Sequence, residues 1–343
     1  MKFLRPKSGQ SIDLFRMFAQ QEGYTLSNPE GTEKFISNFS EEFTKAKNNP
    51  IMLHGFRVQA MFEYVASSLG ECAIIKTEDV GGLHTAEPDV KVPDLRILLI
   101  DGYEFFVEIK NFYQSSPFEL FRIKKNYIKG LQHYAALFKK DVKLAIYWSR
   151  WNQWTLVTLD RIKCNGNKCS LSFEDAMKSN EMAILGDFTL ATLPPLKLRI
   201  ITDPSHTRTV SENGKAIFRI DGVELYCNDN LISDPQEKDI AFFLMLYGEW
   251  NSSEGAAHIE ENEIIHLDFT SQPIETHDEQ IFEMIGNMSG IISRRYNSMT
   301  SNEYGIERIS PKTDISNLGI KIPDDYQGKV LHLWRFTLHP STD

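Results

Sequence analysis

The sequence predicts an α/β protein whose central mixed sheet is flanked by helices, with N-terminal helices before it and a C-terminal α+β domain after it. Three observations support this class: helical periodicity over 11–69, a β-hairpin over 95–112, and a helix followed by two strands over 118–160. At roughly 150 residues per domain, the 343 residues suffice for at least two domains.

The predicted elements follow one another in a simple order. Helices are expected over 11–22, 32–47, 56–69 and 118–139, the first with Ser11 as N-cap and the third ending at Gly70. Strands are expected over 95–100, 104–112, 143–149 and 153–160. The first two of these strands form the hairpin, with Asp101-Gly102 at its turn.

A domain boundary is expected near Pro194-Pro195. Beyond it, strand-like runs alternate with helices over about 236–247 and 277–296. We therefore expect an N-terminal helical segment, a central domain and a C-terminal α+β domain, over 1–50, 51–193 and 196–343.

The composition argues against several classes of protein. No apolar run approaches the ~20 residues of a membrane helix, and the N-terminal MKFLRPKSGQS lacks the apolar region of a secretory signal. The four cysteines are Cys72, Cys164, Cys169 and Cys227. They are too few for a disulfide framework, and no second pair completes a zinc site with Cys164 and Cys169. We therefore expect reduced thiols in a cytoplasmic protein.

The charge is unevenly distributed along the chain. The formal net charge of -10 alone argues against a nucleic-acid-binding protein. However, residues 110–150 contain nine Lys or Arg and only two Asp or Glu, whereas residues 251–290 contain nine Asp or Glu and no Lys or Arg. The basic segment is therefore a candidate phosphate-binding surface, and the acidic segment a candidate surface for a basic protein partner.

Charged side chains occur in the hairpin where a core would be expected. Glu108 and Lys110 are two residues apart on a strand, so both project from the same face. A three-residue turn, 101–103, pairs Arg96 with Glu108 and Asp94 with Lys110, and thus gathers two carboxylates and an amine on one face. A five-residue turn keeps the same faces together, whereas a two-residue turn directs Asp94 away.

Two carboxylates held close together repel each other unless one is protonated or a cation lies between them. Carboxylate oxygens suit Mg²⁺, and a lysine beside such a metal can orient a water and stabilise charge on a phosphate. This arrangement predicts the chemistry of phosphodiester hydrolysis.

Pro93-Asp94, a spacer of thirteen residues and Glu108-Ile109-Lys110 resemble the signature of the PD-(D/E)XK phosphodiesterase superfamily. This superfamily has the restriction-endonuclease-like fold, and the resemblance covers about residues 51–160, including the order of elements. It implies a Mg²⁺-dependent endonuclease, with Mn²⁺ as a substitute, that acts on nucleic acid, with DNA preferred. By analogy of fold alone, it also suggests a role in prokaryotic antiviral defence or DNA processing.

The resemblance implies roles for individual residues. Asp94, Glu108 and the carbonyl group of Ile109 would bind the metal, and Lys110 would be the catalytic lysine. Glu63, on the preceding helix, matches an acid that completes the metal site in many members. Gln132 matches a glutamine found on the following helix in several branches, but Ala136 stands where one branch has tyrosine.

The neighbours of the motif leave alternatives open. Asp89, in a second Pro-Asp pair, rivals Asp94 for the aspartate role, although Asp94 is preferred because it adjoins the strand. Phosphate contacts are expected from a set of basic residues after the motif: Arg122, Lys124, Lys125 and Lys129. The nearby aromatic residues are expected to pack in the interior: Tyr113, Phe118 and Trp151.

Two other functions compete with the nuclease. A non-catalytic nucleic-acid-binding or assembly module would have the same fold, but it would usually have lost one residue of the Asp94, Glu108 and Lys110 set. A hydrolase of small phosphoesters would not need the long basic segment. Because a double-strand break often requires two sites, a homodimer is compatible with the nuclease hypothesis.

Overall fold

The computed structural model of the chain describes residues 10–79, 83–276 and 279–341. It is a mixed α/β structure that divides into two compact units. The first comprises the described residues of Met1–Gly186, Arg295–Leu318 and His339–Asp343. The second comprises those of Asp187–Arg294 and Gly319–Leu338. None of the described helices has the length and apolarity that a membrane span requires.

In the part of the chain that the structure describes before residue 187, the first unit has five α-helices and eight strands. In chain order they are α1 (Gln10–Glu22), α2 (Pro29–Lys47), α3 (Pro50–Leu69), β1 (Cys72–Thr77), β2 (Leu95–Leu99), β3 (Glu104–Phe112), β4 (Phe121–Lys124), α4 (Lys125–Leu137), β5 (Asp141–Trp148), β6 (Gln153–Thr158), β7 (Lys163–Asn165), β8 (Lys168–Leu171) and α5 (Phe173–Lys178).

The remaining elements follow residue 187. In chain order they are β9 (Thr189–Thr192), β10 (Leu196–Thr202), β11 (Ile220–Cys227), β12 (Asn230–Ile232), α6 (Pro235–Tyr247), β13 (Asn251–Ser252), β14 (Ala256–Glu260), β15 (Glu263–Gln272), β16 (Glu283–Asn287), α7 (Met288–Thr300), β17 (Ser301–Asn302), β18 (Gly305–Ile306) and β19 (Leu333–Phe336).

The first unit is built on a five-stranded mixed sheet with the order β1-β2-β3-β5-β6. β3 and β5 are parallel, and the other neighbours are antiparallel. On one face, α4 packs in a core that contains Phe106, Leu131 and Leu144. On the other face, Phe62 of α3 packs against Trp154 of β6, with ring centroids 5.0 Å apart. Both faces of the central strands are therefore covered, as parallel pairing requires.

The hairpin has the register expected from the five-residue turn, which keeps the charged residues on one face. Leu98 pairs with Glu104 and Leu95 with Val107, and the Leu99 N–H donates a hydrogen bond to the Tyr103 carbonyl group at 2.9 Å. The pairing of Arg96 with Glu108 through a three-residue turn is therefore wrong, because Arg96 lies opposite Phe106. In the observed register, the next pair after Leu95 and Val107 is Asp94 and Glu108, so the two carboxylates remain on one face.

The helix expected over 118–139 begins later, at Lys125. Phe121 and Ile123 alternate with Arg122 and Lys124 in the strand β4, whose apolar side chains face inwards. This strand forms a small sheet with β8 and β7, in the order β4-β8-β7. A period of two, not of 3.6, thus governs the first part of the basic segment.

The hairpin of β7 and β8 corrects the expectation about cysteines. Cys164 and Cys169 are cross-strand partners, and their sulfur atoms form a disulfide. The expectation of reduced thiols is therefore wrong for this pair. Cys72 and Cys227 are buried free thiols.

The second unit contains the sheet β12-β11-β10-β15-β13, with β14 also paired to β15, and the sheet β16-β9-β19. The predicted helix over 236–247 is confirmed as α6. The helix expected over 277–296 is wrong in its first part: 277–278 lie outside the described residues, and Glu283–Asn287 forms β16, paired with β9. Only from Met288 does the chain turn into α7.

The two units do not follow the expected boundaries at 50 and at 193–196. Residues 10–50 belong to the first unit, and so does Arg295–Leu318. The second of these segments returns because its side chains pack on α3. Tyr296 is fully buried and donates a hydrogen bond to the carbonyl group of Arg57, and the Arg57 side chain donates to Thr300 at 3.1 Å.

Candidate active site

Asp94 immediately precedes β2 and lies next to β3. Its carboxylate oxygen Oδ2 accepts a hydrogen bond from the backbone N–H of Ile109, at 2.6 Å. Because Leu95 pairs with Val107, the next residues outward along the two strands are Asp94 and Glu108. The main chain of β3 thus holds the Asp94 carboxylate in place.

Glu108 is almost completely buried, with 1% of its surface exposed. Its Oε1 accepts hydrogen bonds from the Lys110 ammonium group and, at 2.6 Å, from the Tyr127 hydroxyl group. Its Oε2 is buried and has no hydrogen-bond partner among the described residues. A buried, unpartnered carboxylate oxygen is costly and calls for a ligand.

Lys110 is two residues further along β3 and is partly exposed. Its Nζ lies 5.1 Å from the centre of the Tyr127 ring, within the range of a cation–π interaction. Tyr127, in the first turn of α4, therefore contacts both charged residues of the motif. No sequence motif pointed to this residue, because the contact depends on where α4 begins.

The electrostatics of the site favour cation binding. Burial, and then the charge of Glu108, raise the pKa of Asp94 to about 7. Burial, and then the charge of Asp79, raise the pKa of Glu63 to about 7. Each carboxylate would be stabilised in its ionised form by a nearby cation.

Asp79 is an acid of the site that the motif did not reveal. It lies just after β1 and lines the same cleft as Asp94 and Lys110. Gln59 of α3 donates a hydrogen bond to its Oδ1, at 3.4 Å. Glu63, one turn further along α3, is not among the residues that line the cleft. The only hint of Asp79 in the sequence was the strand-like run 72–77, which ends two residues before it.

The cleft around these residues has a volume of about 970 Å³. Its walls come from the first half of α3, from β3 and the residue that follows it, and from Arg295–Leu318. Asp94, Ile109 and Lys110 all line it. Three residues of the motif are thus accessible from one cleft, whereas the buried Glu108 lies behind them and is not among the lining residues.

Gln132 does not lie in this cleft. Its exposed side chain lines a separate depression with Lys140 and Asp160. Tyr127 and Gln132 are five positions apart on α4, which at 3.6 residues per turn separates them by about 140°. A helix that presents Tyr127 to Glu108 therefore turns Gln132 away from it. Asp89, the rival aspartate, is exposed in a turn and also lies outside the cleft lining.

The basic residues after the motif lie on two adjoining elements. Arg122 and Lys124 project from the exposed face of β4, whereas Lys125 and Lys129 belong to α4. On β4, Arg122 lies opposite Ser170 and Lys124 lies opposite Lys168. Lys163 of β7 also lies opposite Ser170.

We call the exposed face of this small sheet the basic platform, and its cations are Arg122, Lys124, Lys163 and Lys168. The opposite face carries buried Phe121, Cys169 and Leu171. Like charges directly opposite each other destabilise a sheet. Lys163 pairs with Asp175 at 3.3 Å, whereas Lys124 and Lys168 lie opposite each other. An anion bound between these two lysines would offset their repulsion.

The aromatic residues expected to pack in the interior behave differently from one another. Trp151 is 42% exposed, but its ring stacks on that of Phe173 with centroids 6.1 Å apart, and it donates a hydrogen bond to Gln114 at 2.8 Å. Tyr113 and Phe118 are instead exposed over 69% and 91% of their surfaces, so their assignment to the interior is wrong. Only Tyr113 lines the cleft.

The donors present fit a magnesium-type ion. Within the described ranges, no three Asp, Glu, His or Cys side chains are grouped closely enough to hold a metal by themselves. Mg²⁺, however, is usually bound through one or two carboxylates, with water and substrate phosphate as its other ligands. Asp94 and the unpartnered Oε2 of Glu108 supply this pair, beside the main chain of Ile109.

No protein-family model and no curated protein matches the chain. Among solved structures, the chain is similar to Hjc, a Holliday junction resolvase from the archaeal hyperthermophile Archaeoglobus fulgidus, solved at 1.6 Å resolution. The match has a TM-score of 0.24 and 14% sequence identity, and it covers 29% of this chain and 83% of the resolvase.

Proposed function

We propose that this protein is a divalent-metal-dependent nuclease of the PD-(D/E)XK superfamily, with the restriction-endonuclease-like fold. The observation that carries the proposal is the buried Oε2 of Glu108, which has no hydrogen-bond partner in the described chain and lies beside Asp94 and Lys110. The sheet order, with the motif on β2 and β3 and with α4 leading to parallel β5, supports the same fold.

Asp94, Glu108 and the Ile109 carbonyl group would hold Mg²⁺ or Mn²⁺. When bound, this ion would supply a Lewis acid for a phosphate oxygen and lower the pKa of a water. Asp79 lies close enough to raise the pKa of Asp94 through its charge, so it adds negative charge to the same site. Glu63 belongs to the acidic surroundings of Asp79.

Lys110 would act on the substrate directly. Its ammonium group is held between the Glu108 carboxylate and the Tyr127 ring, at the surface of the cleft. From this position it would orient an attacking water and stabilise the negative charge that develops on the phosphate. Tyr127 would keep both charged groups in place.

The basic platform would bind the phosphate backbone without reading sequence. It adjoins the site through the chain itself, because Lys124 ends β4 and Tyr127 lies three residues later in α4. We propose DNA as the preferred polymer, with cleavage within the strand, in a defence or DNA-processing role.

The experiment is a cleavage assay with Mg²⁺ or Mn²⁺ over linear, supercoiled and single-stranded DNA and single-stranded RNA. We expect wild-type protein to cut at least one of these, and Lys110→Ala to lose more than about 99% of the rate while it keeps its circular dichroism spectrum. If no substrate is cut with either metal, or if Lys110→Ala cuts as fast as wild type, the proposal is wrong.

A further inference from the structure

One wall of the cleft is apolar and open to solvent. It is formed by Ile51, Met52 and Phe56 in the first half of α3, which are exposed over 85%, 44% and 54% of their surfaces. Tyr113, one residue after β3, adds a ring to the same cleft. We call these four side chains the apolar wall.

Single exposed apolar residues are common on protein surfaces and do not indicate a function, whereas a group of them in one place marks a binding surface. Met52 and Phe56 are four residues apart and therefore share one face of α3. They line the same cleft as Asp94 and Lys110, the residues proposed to act on the phosphate. The grouping of the apolar wall beside the charged motif is the observation to be explained.

The apolar wall is not suited to grip phosphates. The guanidinium group of Arg57, which also lines the cleft, is engaged by Asn297 and Thr300 and is largely buried. The Lys110 ammonium group is bonded to Glu108. Exposed cations lie instead on the basic platform, for instance Lys124 and Lys168.

We infer that the apolar wall stacks against unpaired bases, so that the substrate is nucleic acid that is single-stranded at the scissile phosphate. The inference rests on the proposed function, which places a phosphodiester at Asp94 and Lys110. In a duplex the bases are stacked on each other, and the apolar wall would face sugars and phosphates. An unpaired base offers its flat face to Phe56 or Tyr113, and loss of such a stacking contact lowers affinity about tenfold or more.

The experiment measures binding without cleavage. Fluorescence anisotropy in EDTA compares a fluorescein-labelled single-stranded oligonucleotide with two others of equal length: its duplex, and the same strand with central abasic sites. We expect wild-type protein to bind the intact single strand about tenfold more tightly than the abasic strand, and more tightly than the duplex.

Matched variants locate the contact. Phe56→Ala and Tyr113→Ala are each expected to weaken binding of the intact strand about tenfold and to leave binding of the abasic strand unchanged. Phe118→Ala is the control, because Phe118 is an equally bulky aromatic residue, 91% exposed, that does not line the cleft. Phe56→Tyr should retain most of the affinity, since it retains a ring.

Equal binding of intact and abasic strands, or preferential binding of the duplex, would overturn the inference. So would Phe56→Ala and Tyr113→Ala variants that bind like the Phe118→Ala control. These results are separable from the proposed nuclease activity. Base-dependent binding without cleavage would support base stacking on the apolar wall and refute the proposed nuclease activity. Cleavage without base-dependent binding would support the nuclease activity and refute base stacking.

Discussion

The hydroxyl group of Tyr127 donates a hydrogen bond to the buried carboxylate of Glu108, at 2.6 Å. This bond occupies Oε1, together with the Lys110 ammonium group, and Oε2 is left without a partner in the described chain. The same ring lies under the Lys110 ammonium group. A helix residue thus fixes the orientation of two residues of the strand motif.

Tyr127→Phe should therefore slow cleavage without preventing folding. The substitution removes one hydrogen bond to a charged group, worth about 1.5–3 kcal/mol, and keeps the ring beside Lys110. We expect kcat to fall at least about tenfold, with little change in KM. The measurement is steady-state cleavage of the best substrate.

Tyr134→Phe is the matched control for this substitution. Tyr134 belongs to the same helix, and its hydroxyl group donates to Glu78 at 3.0 Å, outside the cleft lining. Its loss should leave kcat within about twofold of wild type, because this partly buried hydrogen bond joins two residues outside the cleft lining. Equal effects of the two substitutions would contradict a positioning role for Tyr127.

Gln132→Ala should have wild-type activity. Gln132 is exposed on the side of α4 away from Glu108 and lines a different depression. We expect its kcat/KM to lie within about twofold of wild type, as for most surface substitutions. A loss of tenfold or more would restore the role that the resemblance implied and would contradict the placement of α4.

The comparison of Gln132 with Tyr127 shows what the sequence could and could not predict. The alternation of Glu108 and Lys110 with Val107 and Ile109 is a local property of a strand, so the motif, its shared face and the hairpin were accessible. The start of α4 was not, because Phe121–Lys124 carries both helical and strand-like features and pairs with the distant β8. The helix rotation, and with it Tyr127, depends on that start.

Other parts of the structure depend on contacts between residues far apart in sequence. Asp79 joins the site only because β1 pairs with β2 and ends near Asp94. β16 replaces a predicted helix because Glu283–Asn287 pairs with β9, about a hundred residues earlier. Local periodicity contains no information about such partners.

The basic platform should control the salt dependence of binding. Lys124→Ala combined with Lys168→Ala removes two cross-strand cations. We expect weaker binding of all oligonucleotides, and a slope of log affinity against log salt that is shallower by about 1.4–1.8. Binding titrations between low and physiological salt measure this slope.

Lys34→Ala combined with Lys47→Ala is the control for the platform variant, since both residues are exposed on α2 and outside the cleft. The control should change neither the affinity nor the slope. If the platform variant retains the wild-type slope, the phosphates are bound elsewhere.

Metal binding should weaken as the pH falls below 7. Burial and the Glu108 charge raise the pKa of Asp94 to about 7, so its carboxyl group is largely protonated at pH 6. A cation must displace this proton, and the apparent Mn²⁺ affinity should therefore rise severalfold from pH 6 to pH 8. Calorimetric titration of metal-free protein with Mn²⁺ measures it, and Asp94→Asn should abolish the pH dependence together with most of the affinity.

The same shift has a consequence for stability. The native state of the metal-free protein binds the Asp94 proton more tightly than the unfolded chain, whose aspartates have a pKa near 3.9. Asp94 therefore lowers stability as the pH rises from about 4 to about 7. Saturating Mn²⁺ should offset this loss at pH 7, which thermal unfolding with and without metal would detect.

The most direct test of the central claim is the position of a bound metal ion. Crystals soaked with Mn²⁺ should show an anomalous difference peak contacted by Asp94, by Oε2 of Glu108 and by the Ile109 carbonyl group, and this peak should be absent from Glu108→Gln crystals. A protein that cleaves nucleic acid with Mn²⁺ while the peak lies elsewhere, or while Glu108→Gln retains it, would contradict the assignment of the buried Glu108 oxygen as a metal ligand.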